Sequence, residues 1–291
     1  MPELPEVETL ARDLRAAVLG RTVTEAWVAP DAPRLVQEMP VELFESGLRG
    51  RRIEDVSRRG KYLMLRLDKG LWWVLHRRMS GNVLLRPAKA PDEPYIRARF
   101  RLDDGNELRF VDLRKFGTMW LTEDPTPIVA KLGPEPLDAA FTDDVLRETL
   151  KKRTTAIKAV LLDQAAIAGI GNLYADEALH YAGIHPKRPA KSLTKAEVSR
   201  LHEGIVRALE QGLANLGSSV GNAADEEVSL RDHVNLNGEA GKNQEYLVAY
   251  GREGRPCRTC GTEIERMKLA QRSAHFCPQC QPMRRRRKPA L

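Results

Sequence analysis

Residues 62–75, Tyr-Leu-Met-Leu-Arg-Leu-Asp-Lys-Gly-Leu-Trp-Trp-Val-Leu, hold two short apolar runs separated by a polar turn. Runs of this length, divided at Lys69-Gly70, predict two strands. Residues 51–56, 95–102 and 107–111 show the same character, and Asp104-Gly105 is a strong hairpin signal. Because no helix–strand alternation occurs between residues 21 and 121, we expect an antiparallel sandwich or barrel rather than a parallel sheet.

Helical patterns flank this predicted β region. Apolar side chains recur at helical spacing over residues 5–19, where Pro5 suits the first turn and Gly20 can end the helix. Beyond the Gly- and Pro-containing stretch 132–136, further helices are predicted over residues 144–151, 156–164, 172–181 and 195–216. Residues 217–243 lack a clear period, which predicts a long mobile loop.

The composition is that of a folded protein with a basic surface. The 291 residues include 47 Lys and Arg against 40 Asp and Glu, a formal charge of +7, and 42% are hydrophobic. The longest strongly apolar run, residues 71–75, is far shorter than the roughly 20 residues that span a bilayer. Acidic residues at the start argue against an export signal. We therefore expect a cytoplasmic protein without a membrane partner, and positive charge suggests nucleic acid as a partner.

Four cysteines form two pairs with the spacing of a zinc ribbon. Cys257 and Cys260 are followed, 16 residues later, by Cys277 and Cys280. Four thiolates close a tetrahedral shell and leave no position for a reactive water, so we predict one structural Zn²⁺ ion. Two disulfides or buried thiols are the alternatives. Arg272 lies between the pairs, where a hairpin can aim it outward, unless it is simply a solvated cation.

Residues 168–172, Ala-Gly-Ile-Gly-Asn, lie between two predicted helices and suit a phosphate. The glycines permit tight turns, and Asn172 is predicted as the N-cap of a helix whose first N–H groups can hold an anion. Lys152, Arg153 and Lys158 can supply positive charge. A helical hairpin without a ligand fits the same residues.

The chain begins Met-Pro-Glu-Leu-Pro-Glu. Removal of Met1 would leave Pro2 with a free secondary amine, whose pKa lies near 8 and falls further at a helix N-terminus. Such an amine can attack a sugar carbon to give an iminium, while Glu3 and Glu6 transfer protons. Alternatively, these residues only stabilise the start of a helix.

Taken together, these segments resemble the family of formamidopyrimidine-DNA glycosylase and endonuclease VIII over nearly the whole chain. The start, residues 1–9, and the four cysteines are the most specific part of the match. The other matching motifs are Gly60-Lys-Tyr-Leu63, Met79-Ser-Gly81, Asp112-Leu-Arg-Lys-Phe-Gly117, Leu132-Gly-Pro-Glu-Pro136, Gly169-Ile-Gly-Asn-Leu-Tyr174, Gly183-Ile-His-Pro186, Tyr250-Gly-Arg252 and Gln271-Arg272.

The resemblance implies an α+β multidomain fold: an N-terminal antiparallel β-sandwich, a helix–two-turns–helix domain and a C-terminal zinc-finger β-hairpin. The implied domains are residues 1–132 (catalytic), 133–243 (DNA-binding, with a mobile lesion loop), 244–282 (zinc finger) and 283–291 (a disordered basic tail). It also implies a monomer that acts on damaged double-stranded DNA in the bacterial cytoplasm, at the nucleoid.

The implied activity is removal of oxidised purines, chiefly 8-oxoguanine and formamidopyrimidines, followed by β,δ-elimination. By position, Pro2 would be the Schiff-base nucleophile and Glu3 the general acid, with Glu6 beside them. Lys61 would assist β-elimination and Arg272 δ-elimination, and both would contact phosphate. The alternatives are an endonuclease VIII-like enzyme for oxidised pyrimidines and a noncatalytic protein that binds lesions.

The resemblance also implies a set of DNA contacts. Met79, Arg114 and Phe116 would fill the space that an extruded base leaves. The other implied DNA-binding residues are His76, Tyr95, Arg153 and Asn172. Tyr95 stands where some members have histidine. Arg77-Arg78 replaces the Leu-Gly pair that usually precedes Met79. We expect the two arginines to add charge and salt sensitivity to DNA binding.

Overall fold

The computed structural model describes residues 2–219 and 233–283. The chain forms two compact units, residues 1–131 with 212–244 (unit 1) and residues 132–211 with 245–291 (unit 2). The centre of the predicted loop 217–243, the predicted tail beyond Met283 and the processing of Met1 lie outside the described residues. The predicted domain boundaries remain predictions.

The described part of unit 1 contains two four-stranded antiparallel sheets, three α-helices and the last residues of a fourth. Its helices are α1 (Leu4–Val18), α2 (Val41–Leu48) and α3 (Thr126–Val129). Its strands are β1 (Val23–Val28), β2 (Ile53–Arg59), β3 (Tyr62–Leu67), β4 (Trp72–His76), β5 (Asn82–Pro87), β6 (Ile96–Leu102), β7 (Asn106–Val111) and β8 (Thr118–Thr122). The strand orders are β1-β6-β7-β5 and β2-β3-β4-β8, so the predicted antiparallel sandwich is confirmed, and the barrel is not formed.

One apolar core joins α1 to both sheets of unit 1. Leu63, Leu65 and Leu67 alternate along β3 and pack into this core together with the apolar stripe of α1. Met64, between them, points to the other face of the sheet and packs against Trp120. The period of two follows from the pleat of a strand and sets which face of each strand is buried.

Unit 2 is helical and ends in a β-hairpin. Its helices are α4 (Asp143–Lys151), α5 (Ile157–Leu162), α6 (Asn172–Ala182) and most of α7 (Lys195–Ala214), and its hairpin is β9 (Glu265–Leu269) with β10 (Arg272–Phe276). The four helices predicted here are thus confirmed, with ends that differ by a few residues. Among the described residues, none of the helices combines the length and apolar character that crossing a bilayer requires.

A buried ion pair fixes the hairpin to α6 within unit 2. Lys158 Nζ lies 2.5 Å from Asp176 Oδ1 and donates to the Ser273 carbonyl at 2.6 Å. The other Asp176 oxygen accepts the backbone N–H of His275 at 2.9 Å. Because Lys158 is fully buried, the prediction that it offers charge to a phosphate is wrong. Its ammonium group positions the start of β10 instead.

The sandwich core gives a direct stability prediction. Phe100 is 1% exposed, and its ring centroid lies 4.3 Å from that of Trp73. We expect Phe100→Ala to lower the free energy of unfolding by about 3–5 kcal/mol, because the cavity it leaves cannot collapse fully. Urea denaturation measures the change. As a control, Leu43→Ala at a 60% exposed site on α2 should change stability by less than about 0.5 kcal/mol; equal losses would contradict the assignment of the core.

Candidate functional site

The amino end of α1 is buried and held by a carboxylate. Pro2 is buried and precedes the N-cap residue Glu3, which forms a capping box with Glu6. Glu6 Oε2 accepts the backbone N–H of Glu3 at 2.8 Å, and Glu6 Oε1 accepts the backbone N–H of Ser218, also at 2.8 Å. Both glutamates are nearly inaccessible, at 4% and 3% exposure. One oxygen of Glu6 therefore fixes the residue that follows Pro2, and the other fixes the backbone of Ser218.

Lys61 lies in the turn between β2 and β3, and its side chain is buried. Burial lowers the pKa of Lys61 below the usual lysine value, although the negative charges of Glu3 and Glu6 oppose this effect. A lysine with a lowered pKa loses its proton more readily near neutral pH and can take part in proton transfer. Unit 1 thus places the ammonium of Lys61 within the electrostatic reach of both glutamates.

His76 pairs with Tyr62 across β4 and β3, and the two rings meet edge to face with centroids 4.7 Å apart. Its Nδ1 accepts the backbone N–H of Arg78 at 2.9 Å. Burial, and then the positive charges of Arg78 and Lys61, lower the pKa of His76 to about 3. The ring is therefore neutral, with its proton on Nε2, a donor suited to a phosphate oxygen.

Met79, Arg114 and Phe116 lie on two neighbouring turns of unit 1. Met79 and Phe116 are 43% and 53% exposed, and Arg114 Nη1 lies 3.6 Å from the Met79 sulfur. The structure therefore excludes core packing for these two apolar side chains. Exposed apolar groups beside a cation have the chemistry that can wedge between bases and pair with an unstacked one.

A buried carboxylate, Asp112, holds these two turns in place. Its Oδ1 accepts from Ser80 Oγ at 2.6 Å and from the Arg114 backbone N–H at 3.1 Å. Its Oδ2 accepts the backbone N–H groups of Phe116 and Gly117 at 2.9 and 2.8 Å. Asp112 was part of a matching motif, yet its positioning role was not predicted, because only the tertiary structure brings Ser80 to it.

Arg77 is buried, contrary to the expectation that both arginines of the Arg77-Arg78 pair add charge to DNA binding. Its side chain is 1% exposed, and Nε donates to the Gly81 carbonyl at 2.6 Å. The prediction that Arg77 adds a surface charge is wrong, because its guanidinium is satisfied inside unit 1. Arg78 is half-buried, and its backbone has a left-handed conformation with φ of 55°.

Tyr95 lies in the turn directly before β6, and its side chain is 42% exposed. Its φ of 64° is in the left-handed region, which is strained for a tyrosine. Arg97 lies 5.7 Å from the centre of the Tyr95 ring. An exposed aromatic ring held in a strained conformation is consistent with its predicted DNA contact, which stays a prediction.

Unit 2 brings Asn172 close to the hairpin. Gly171 is the N-cap of α6 and Asn172 is its first residue, so the prediction of Asn172 as N-cap is wrong. Asn172 Nδ2 lies 3.4 Å from Ser273 Oγ, and its Oδ1 is buried without a hydrogen-bond partner among the described residues. Arg272 is exposed at the start of β10. Arg153 instead pairs with Asp163 at 2.6 Å.

The four cysteines of unit 2 have the geometry of a metal shell. Their sulfur atoms all lie within 4.8 Å of one another, and the Cys257–Cys280 and Cys260–Cys277 pairs are 3.9 and 3.4 Å apart. A tetrahedron with Zn–S bonds of about 2.3 Å has edges of about 3.8 Å. All four are free thiols, which argues against disulfides. The residues fit one Zn²⁺ ion, as predicted.

Three domain families match consecutive parts of the chain. The N-terminal domain of formamidopyrimidine-DNA glycosylase matches residues 1–119, and its H2TH domain matches residues 132–223. The zinc finger found in FPG and IleRS matches residues 254–282. These matches support the predicted zinc ion and the helical DNA-binding region.

Relatives match along the full length. The formamidopyrimidine-DNA glycosylases of Desulforamulus reducens and Chloroflexus aggregans are 42% and 46% identical, each over 97% of this chain and over 99% and 98% of their own. The Lactococcus lactis Fpg in complex with Fapy-dG containing DNA is 34% identical, with a TM-score of 0.85 over 97% of this chain and all of that one. MutM in complex with carbocyclic 8-oxo-G containing DNA is 35% identical, with a TM-score of 0.86. The predicted α+β multidomain fold is confirmed, and the chain belongs to the formamidopyrimidine-DNA glycosylase family.

Proposed function

We propose that this chain excises oxidised purines from damaged duplex DNA and then cleaves the strand at the abasic site, with Pro2 as the nucleophile. It is a DNA glycosylase with lyase activity, and its relatives are solved with Fapy-dG and 8-oxo-G containing DNA. The observation that carries the residue assignment is the buried amino end of α1, where Glu6 fixes Glu3 and the charge of Lys61 is felt by both glutamates.

Pro2 supplies the electron pair for the first step. Its nitrogen bonds to C1′ of the deoxyribose as the N-glycosidic bond breaks. The electron pair of the broken bond leaves with the base, and the base takes up the proton that the Pro2 nitrogen releases. The O4′–C1′ bond then opens, O4′ receives a proton from Glu3, and the Pro2 nitrogen becomes an iminium. Glu6 keeps the backbone of Glu3 in one position throughout.

The iminium acts as the electron sink for both eliminations. Loss of the C2′ proton breaks the C3′–O bond, and loss of the C4′ proton breaks the C5′–O bond. Lys61, with its lowered pKa, takes part in the first elimination and contacts phosphate. Arg272, exposed at the start of β10, binds phosphate and assists the second.

The remaining predicted residues hold DNA around the lesion. Met79 and Phe116 enter the stack when the base leaves, and Arg114 hydrogen-bonds the orphaned cytosine. The DNA backbone is contacted by three further groups: the neutral imidazole of His76, the ring of Tyr95 and the side-chain amide of Asn172. Arg153 offers its second face to phosphate while paired with Asp163. The protein acts as a monomer in the bacterial cytoplasm, at the nucleoid.

An uncleaved N-terminal extension tests the nucleophile. Because an amide nitrogen at residue 2 has no free electron pair, the extended protein should give no borohydride-trapped adduct with an abasic-site duplex. The same extension at the C-terminus is the matched control and should trap normally. Gel electrophoresis of the covalent complex measures both. Normal trapping by the N-terminally extended protein, with linkage mapped to another residue, would refute Pro2.

Two lesions separate the purine enzyme from its pyrimidine-specific relatives. Duplexes with 8-oxoguanine opposite cytosine and with 5-hydroxycytosine opposite guanine are incubated with the native protein in parallel. We expect excision of 8-oxoguanine to be at least tenfold faster, because the similar proteins of known structure were solved with Fapy-dG and 8-oxo-G containing DNA. A faster reaction on 5-hydroxycytosine would favour the endonuclease VIII-like alternative, whereas tight binding without cleavage of either would favour a noncatalytic protein.

The zinc ion is tested by removing one ligand. Cys277→Ser should reduce bound zinc from one ion per chain to none and weaken DNA binding, because this hairpin carries Arg272 and has little apolar core of its own. Gln279→Ser, an exposed position in the same knuckle, is the control and should keep its metal. Elemental analysis and fluorescence anisotropy are the measurements. Full DNA affinity in a metal-free variant would contradict the structural role.

A further inference from the structure

Arg77, which follows β4 directly, is a buried cation with three different acceptors in unit 1. Nε donates to the Gly81 carbonyl at 2.6 Å, Nη1 donates to His233 Nδ1 at 3.0 Å, and Nη2 donates to Asn82 Oδ1. A charge inside a protein is tolerated only when its donors are satisfied. The three bonds reach two separate segments of the chain, residues 81–82 and residue 233.

One of these segments is the turn that carries Met79. The Gly81 N–H donates to the Arg77 carbonyl at 3.1 Å, while the Arg77 side chain donates back to the Gly81 carbonyl. Met79 lies between them and is 43% exposed. Gly81 also packs so closely that a Cβ there would lie 2.6 Å from the Phe110 ring. Backbone and side chain of Arg77 therefore close the same turn and define where Met79 points.

The other segment begins at His233. Because Nδ1 accepts from Arg77, this imidazole is neutral and carries its proton on Nε2. Burial, and then the charge of Arg77, hold the pKa of His233 well below its usual value. Nε2 is buried and has no partner among the described residues. The bond to Arg77 therefore fixes this imidazole in one tautomer.

His233 borders the carboxylate that fixes the amino end of α1. A methyl group at Gly217 would lie 2.9 Å from Glu6 Cγ and 3.1 Å from His233 Cδ2, so the two side chains flank this glycine. The His233 carbonyl also accepts from Ser219 Oγ. The Arg77 guanidinium thus connects the turn of Met79 with the residues around Glu6.

We propose that Arg77 is a positioning residue for base extrusion, because one guanidinium fixes both the turn that carries Met79 and the imidazole of His233 beside Glu6. This inference rests on the proposed function. Insertion of Met79 into the DNA stack and binding of the extruded base then both depend on the Arg77 guanidinium. The chain has arginine where the family resemblance leads one to expect leucine, and Asn82 and His233 supply the matching acceptors.

Arg77→Met in the full-length, zinc-containing protein separates extrusion from chemistry. Single-turnover excision of 8-oxoguanine should fall about tenfold, because charge-assisted bonds that hold the wedge turn are lost. Borohydride trapping on a duplex with a preformed abasic site should stay within about twofold, since Pro2, Glu3 and Lys61 do not depend on the wedge. The fluorescence of 2-aminopurine beside the lesion should rise more slowly on binding. Arg66→Met, an exposed arginine on β3, controls for lost charge and should match the native protein.

The two rates decide the outcome. An unchanged ratio of excision to trapping, whether both rates fall or neither does, would overturn the role of Arg77. A native protein that neither excises 8-oxoguanine nor forms an adduct would instead refute the proposed function. The two failures are therefore distinguishable in one set of reactions.

Substitutions at His233 keep the test informative if Arg77→Met does not fold. The amide oxygen of His233→Gln can still accept from Arg77, whereas His233→Phe removes the acceptor. We expect His233→Phe, and not His233→Gln, to lower the ratio of excision to trapping. Where Arg77→Met does fold, the combined loss with His233→Phe should be smaller than the sum of the two single losses, because both changes remove the Arg77–His233 bond and Arg77→Met alone removes the bonds to Gly81 and Asn82. Equal effects of Gln and Phe, or fully additive losses, would overturn the proposal.

Discussion

The proposed chemistry depends on the two hydrogen bonds that the carboxylate of Glu6 accepts. One oxygen accepts the N–H of Glu3 and the other accepts the N–H of Ser218, so that two distant segments of unit 1 meet at one buried charge. Charge-assisted bonds of this kind are short and directional, and they are stronger away from water. The close approach requires that residue 217 be glycine, because a Cβ there would lie 2.9 Å from Glu6 Cγ. The backbone that follows Pro2 is therefore held in one position.

Buried ionisable side chains elsewhere hold the neighbouring backbone in the same way. Asp112 accepts three backbone N–H groups and orients the turns of Arg114 and Phe116. In unit 2, Glu177 accepts the N–H groups of residues 248–250, all at 2.8 Å. Lys158 and Asp176 fix the start of the hairpin next to Arg272. Several side chains proposed to contact DNA lie on turns and strand ends whose backbone is hydrogen-bonded to buried side chains. These bonds keep the geometry of the site fixed.

Local patterns predicted much of the secondary structure, and their failures have physical causes. Strand β3 was predicted because its short apolar run ends at the turn residues Lys69-Gly70. Strand β1 was missed, since a register shift between Val23 and Glu25 interrupts the alternation. Strand β5 was missed because it begins with a buried Asn82, whose polar side chain conceals the pattern. Helix α2 was missed because its eight residues form only about two turns, too few to show a clear helical period.

The sequence by itself determined the four metal ligands and the start of α1, because these depend on short spacings along the chain. It also determined the antiparallel class of the first region, because no helix–strand alternation occurs there. Only the tertiary structure decided which positive charges face outward. Arg77 and Lys158 look like surface cations in the sequence, but they are buried against His233 and Asp176, which are 156 and 18 residues away. Burial of a charge depends on partners brought together by folding, and no local pattern records them.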